Sequence, residues 1–99
     1  NTKILFLDEP TTYLDIRYQL DILRLVKQLN REYGITIVMV LHEINQAIHF
    51  SDEVIGLKDG KVLVQGDPKD VITTESISEL YDVHLKVADI DGQKFVLTV

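Results

Sequence analysis

Two adjacent carboxylates, Asp8 and Glu9, close the apolar run at residues 4–7, and a histidine, His42, closes a second apolar run at residues 35–41. An Asp in such a place can hold a magnesium ion, directly or through water, and a neighbouring Glu can polarise the water that attacks in phosphoryl transfer. The same Asp-Glu-Pro tripeptide also serves as a plain cap for the turn after a strand, and a lone His at a strand end is most often an exposed loop residue. The decision between these readings rests on whether the surrounding elements bring the three side chains to one edge.

Residues 4–7 read as a short strand buried on both faces, as in a parallel sheet. Asp15 is a good N-cap for a helix whose apolar positions Ile22, Val26, Leu29 and Tyr33 follow helical spacing, and Gly34 is placed to stop it. Residues 35–41 form a second, β-branched-rich strand, and strand-helix-strand in this length predicts parallel strands joined by a right-handed crossover. Ligand sites in open α/β sheets lie beyond the carboxyl ends of the strands, so Asp8, Glu9 and His42 are expected at one edge. The long helix itself, with Arg17, Arg24 and Lys27 on its wet face, is core packing and carries no chemistry.

The rest of the chain reads as support. Residues 43–50 suit a short helix with Ile44, Ala47 and Ile48 inward. Residues 54–57 and 62–65 flank Asp59-Gly60, a pair that accepts positive φ and predicts a tight hairpin. Asp67-Pro68 opens a short helix through Ile72, another helix runs from about residue 75 to 81, and Asp91-Gly92 centres a second hairpin between residues 85–88 and 94–99. His49 and His84, even with Asp52 or Asp82 nearby, have no recurrent metal-ligand spacing and are assigned no site.

Composition narrows the class. Ninety-nine residues with 45% hydrophobic and 26% charged content describe one small globular unit with little stability in reserve. A formal net charge of −6, without any Lys/Arg cluster, argues against nucleic acid as a partner. The absence of Cys excludes disulfides and thiolate metal sites and fits a reducing compartment, with the cytoplasm as the default. The longest apolar run is far short of the roughly 20 residues a membrane span needs, so attachment to a membrane must come through a partner. Asn1-Thr2-Lys3 leads into the first strand without an initiator Met, which implies a fragment boundary or a processed chain.

The stretch Ile4-Leu5-Phe6-Leu7-Asp8-Glu9-Pro10-Thr11-Thr12-Tyr13-Leu14-Asp15 resembles the Walker B motif running into the D-loop of ABC ATPases. The resemblance implies that Asp8 assists magnesium, that Glu9 is the catalytic carboxylate acting on water, and that the Leu14-Asp15 turn meets the opposite subunit. Val40-Leu41-His42-Glu43-Ile44-Asn45-Gln46-Ala47 resembles the switch or H-loop, which implies that His42 contacts the γ-phosphate of ATP; Glu43 stands where family members often carry Asp. Residues 51–68 resemble the stretch after the switch His in importer ATPases. Thr11-Thr12-Tyr13-Leu14-Asp15-Ile16 and Gly66-Asp67-Pro68 look most like the subfamily that energises uptake of iron-siderophore, haem or cobalamin complexes, the likeness fading after about Asp82.

The fold so implied is α/β: the C-terminal part of a P-loop NTPase (RecA-like) parallel sheet with helices, plus a small hairpin and C-terminal helices, the P-loop strand being absent. Residues 1–99 are then a partial ABC ATPase domain whose Walker A and signature loop lie upstream. ATP and Mg are the implied cofactors. The implied partners are a second ATPase subunit, in a nucleotide-sandwiching dimer, and a membrane permease that holds the protein on the inner face of the cell membrane without direct insertion. With no Gly-rich phosphate cradle, signature loop, adenine-stacking aromatic or glutamine loop, the chain alone is expected neither to bind ATP tightly nor to hydrolyse it. Family topology puts the P-loop strand between the strand ending at His42 and the one holding residues 54–57; its absence exposes two edges, and self-association is expected. Two alternatives compete: a fragment of a non-transport ABC ATPase of DNA repair or translation, and a non-catalytic α/β interaction module.

Overall fold

A computed structural model describes residues 3–98; Asn1, Thr2 and Val99, the last expected to end the final strand, lie outside the described residues. The element order is β1 (Ile4–Asp8), α1 (Ile16–Tyr33), β2 (Thr36–Val40), α2 (Ile44–Phe50), β3 (Val54–Lys58), β4 (Lys61–Gly66), α3 (Pro68–Val71), α4 (Thr74–Tyr81), β5 (Lys86–Ile90) and β6 (Gln93–Leu97). This is the expected α/β order. The chain divides into two compact units, one running through Glu43 and the other beginning at Ile44.

In the first unit β1 and β2 pair in parallel, from Ile4 opposite Thr36 to Asp8 opposite Val40. Leu23 and Val26 of α1 are buried. Ile22 and Leu29 are half-buried, but Tyr33, expected on the inner face, is 70% exposed. It occupies the last turn, beside the chain reversal at Gly34 that only then feeds β2. Gly34 adopts φ 66° and donates its N–H to the Asn30 carbonyl at 3.0 Å, the left-handed C-cap that a residue lacking Cβ tolerates. Asp15 takes the extended N-cap conformation, yet its side chain makes no capping hydrogen bond.

The expectation that both faces of these strands are buried is corrected here. Leu5, Leu7, Ile37 and Met39 are half-buried, whereas Ile4, Phe6, Val38 and Val40 on the opposite face are exposed. Among the described residues the unit has one helix, α1, and one helix covers one face.

The second unit is two hairpins packed with three short helices. Asp59 (φ 52°) with Gly60 (φ 76°), and Asp91 (φ 53°) with Gly92 (φ 79°), form the two-residue turns expected from sequence, because left-handed conformations at both central positions match the twist of the flanking strands. Asp67 caps α3 by accepting from the Lys69 N–H at 2.9 Å. Thr73 and Ser76 form a reciprocal capping box, with both bonds at 3.0 Å, that starts α4 at Thr74, one residue before the expected start. Ile48, Ile72, Ile77 and Val96 form the core.

Two residues of α2 finish the sheet edge of β6. The Asn45 amide donates to the Val96 carbonyl at 3.1 Å and accepts from the Val96 N–H at 2.8 Å. His49 Nε2 lies 3.2 Å from the Lys94 carbonyl, its ring packed edge-on against Phe95 with centroids 4.4 Å apart. An edge strand otherwise open to another chain is thus closed by a helix. The described residues hold three two-stranded sheets, in which β2 pairs only with β1 and β3 only with β4.

Candidate active site

Parallel pairing brings the carboxyl ends of β1 and β2 side by side. Asp8 ends β1 with its side chain exposed, on the same bare face as Ile4 and Phe6. The ladder runs one residue further, since the Glu9 N–H donates to the Val40 carbonyl at 2.9 Å. At Glu9 the backbone then turns left-handed, with φ 52°. Such a conformation costs a non-glycine residue about 1–2 kcal/mol and persists only where the surroundings impose it.

The turn sets the Glu9 carboxylate against His42: Oε1 of Glu9 meets Nε2 of the imidazole, which donates when that nitrogen carries the proton. The other oxygen, Oε2, lies 3.5 Å from the Thr12 hydroxyl, at the outer limit of a hydrogen bond. Glu9 is 35% and His42 75% exposed in their side chains. A contact this open to water contributes at most about 1 kcal/mol, so it is evidence of placement more than of stability. Chemically, it is a solvent-facing carboxylate oriented by an imidazole, able to accept a proton from water.

The loop that follows projects outward: Tyr13 is fully exposed, and Leu14 and Asp15 are exposed beside it. Tyr13 is a second left-handed residue, at φ 68°. Thr12 N–H donates to the Glu9 carbonyl and Leu14 N–H to the Thr11 carbonyl, each at 3.3 Å. The Gln19 amide reaches back from α1 to the carbonyls of Leu14 at 2.9 Å and Thr11 at 3.3 Å. Gln19 was not singled out from the sequence; its signal is an amide in the first helical turn, four residues after the cap.

The sequence-derived set is thus partly assembled. Glu9 and His42 touch, Asp8 stands at the same strand end, and Leu14 and Asp15 lie on the projecting loop. Among the described residues no group of three or more His, Cys, Asp or Glu could hold a metal ion. A lone exposed carboxylate still suits magnesium, which usually takes one or two carboxylates and completes its shell with water and substrate phosphates. Asp8 fits that assisting part.

No protein-family model matches the chain. Curated proteins do match. The relatives the chain matches are ATP-binding subunits of ABC transporters, and its fold matches part of a solved ABC transporter chain. It is 46% identical over 88 residues to the ferric enterobactin transport ATP-binding protein FepC of Escherichia coli (strain K12), a match covering 89% of this chain and 32% of FepC. The petrobactin import ATP-binding protein FpuC of Bacillus anthracis is likewise 46% identical, over 87% of this chain and 32% of FpuC. The hemin import ATP-binding protein HmuV of Escherichia coli O157:H7 is 41% identical, over 86% of this chain and 33% of HmuV. The chain therefore spans about a third of the length of the curated relatives it matches. Among solved structures, a metal-chelate type ABC transporter in an inward-facing conformation superposes with a TM-score of 0.80 at 25% identity, covering 95% of this chain and 38% of that one.

Proposed function

We propose that this chain is the water-activating part of an ATP-hydrolysing subunit that energises an ABC importer of iron-siderophore or related chelates. Asp8 helps hold magnesium, Glu9 takes the proton of the attacking water, and His42 orients Glu9 and contacts the γ-phosphate. Leu14 and Asp15 meet the second ATPase subunit. When bound, Mg-ATP would supply the phosphoryl group, and its phosphates together with water would complete the metal's shell. The observation that carries the reading is the contact of Glu9 with His42 where two adjacent parallel strands end.

The names of the relatives support the import of iron chelates and, through it, a permease partner and a place on the cytoplasmic face of the membrane. Among the described residues no helix is long and apolar enough to cross a membrane. The 99-residue chain taken alone has no phosphate cradle and is proposed to bind Mg-ATP no tighter than millimolar.

The test is phosphate release by the complete subunit. Glu9→Gln is expected to lower turnover at least about a hundredfold while Mg-ATP still binds, and His42→Ala to lower it about ten- to a hundredfold. Full turnover in both variants overturns the proposal.

A further inference from the structure

We infer that Gln19 is a positioning residue for the active-site carboxylate, its amide holding the loop after Glu9 in the shape that sets Glu9 against His42. This rests on the reading of Glu9 as the residue that acts on water.

The loop does not keep its shape by local preference. Glu9 and Tyr13 are both left-handed without being glycine, each at a cost of about 1–2 kcal/mol. The loop's own backbone bonds, Thr12 to Glu9 and Leu14 to Thr11, are long at 3.3 Å. Three carbonyl acceptors, those of Thr11 and Leu14 in the loop and of Asp15 at the helix start, instead converge on Gln19. Its backbone N–H donates to Asp15 at 2.9 Å, and its Nε2 donates to Leu14 at 2.9 Å and Thr11 at 3.3 Å.

A primary amide has two N–H groups on one nitrogen, one for each carbonyl. Gln19 is also firmly mounted. Leu23, one turn further on the same helix face, is completely buried, and Val26 follows it. The chain of contacts therefore runs from the packed stripe of α1, through the amide, to the Thr11 and Leu14 carbonyls. From there it passes to the Thr12 hydroxyl beside Glu9 Oε2.

Gln19→Glu is the decisive variant because it keeps the side chain's shape and replaces the donating nitrogen by an oxygen that repels both carbonyls. In the complete subunit, with active molecules counted by Mg-ATP binding, turnover per site is expected to fall at least about tenfold while KM for ATP stays within about twofold; displacing a reacting group by about 1 Å is enough for such a loss. Gln19→Lys, which restores an N–H donor, is expected to recover part of it. If Gln19 merely fills space, Gln19→Glu keeps full turnover, and the inference is overturned. Should Gln19→Glu leave no binding-competent subunit, Gln19→Leu takes its place: turnover in Gln19→Lys above that in Gln19→Leu supports donation, and equal turnover refutes it. A Glu9→Gln control separates the two ideas. Full turnover in that control removes the catalytic reading itself, whereas a dead control with an unaffected Gln19→Glu removes only the role of Gln19.

Discussion

The two units of this molecule divide the work of chemistry and of packing. Residues through Glu43 carry Asp8, Glu9, His42 and the projecting loop, yet among the described residues only Leu23 and Val26 of their apolar side chains are buried. Residues from Ile44 on carry none of the proposed catalytic groups, yet bury Ile48, Val64, Ile72, Ile77 and Val96. The first unit also leaves Ile4, Phe6, Val38 and Val40 bare, on the face opposite its only helix. A site on strand ends needs a sheet, and a parallel sheet needs cover on both faces. The unit that carries the proposed site therefore leaves one face of its described sheet uncovered, while the second unit buries more of its apolar side chains.

That contrast can be broken by mutation. The largest effect on stability is expected for Ile77→Ala in the second unit, where a fully buried side chain in the central cluster is truncated. Loss of its burial and the cavity left behind cost about 2–5 kcal/mol, to be read from denaturant unfolding of the chain. Phe6→Thr in the first unit is expected to change stability by less than about 0.5 kcal/mol despite removing an aromatic ring, because that ring is 62% exposed. It should also reduce any self-association of the chain seen in light scattering, since an exposed apolar face adds to what another copy can cover beyond the open strand edges. Equal destabilisation by the two variants would erase the distinction.

The smallest effect concerns Lys58. Its ammonium donates to Asp82 Oδ1 and to the Glu79 carbonyl, both at 2.6 Å, at the C-terminal end of α4. The Asp82 hydrogen bond, aided by the charges of Asp82, Asp59 and Glu79 and opposed by desolvation, raises its pKa above the ordinary 10.5. A raised folded-state value means that the contribution is complete below pH 10.5 and is lost only as the pH climbs through the folded value. Unfolding titrations should therefore show no Lys58-dependent change between neutral pH and about 10, and a small loss above it that Lys58→Met abolishes.

Where local chemistry decides the backbone, the sequence was readable. Asp59-Gly60 and Asp91-Gly92 announce turns because few residue pairs accept two positive φ angles, and the continuous apolar runs before Asp8 and His42 announce parallel strands. The exposure of Tyr33 and of the Phe6 face was not readable, because periodicity identifies an apolar stripe without stating how much structure lies over it. The placement of Asp8, Glu9 and His42 at adjoining strand ends was legible from motif and strand pattern together. Gln19 was not, since its role depends on a loop path set by two left-handed residues. Asn45, which completes the edge of β6 across 51 positions of sequence, was hidden for the same reason: long-range contacts leave no local signature.

Glu9, held by His42, is proposed to act on the attacking water. The most direct test is a single turnover of Mg-ATP bound to the complete subunit carrying Glu9→Gln, compared with the unaltered subunit. ATP is expected to remain bound, with its cleavage slowed at least about a hundredfold. Cleavage at the unaltered rate would contradict it.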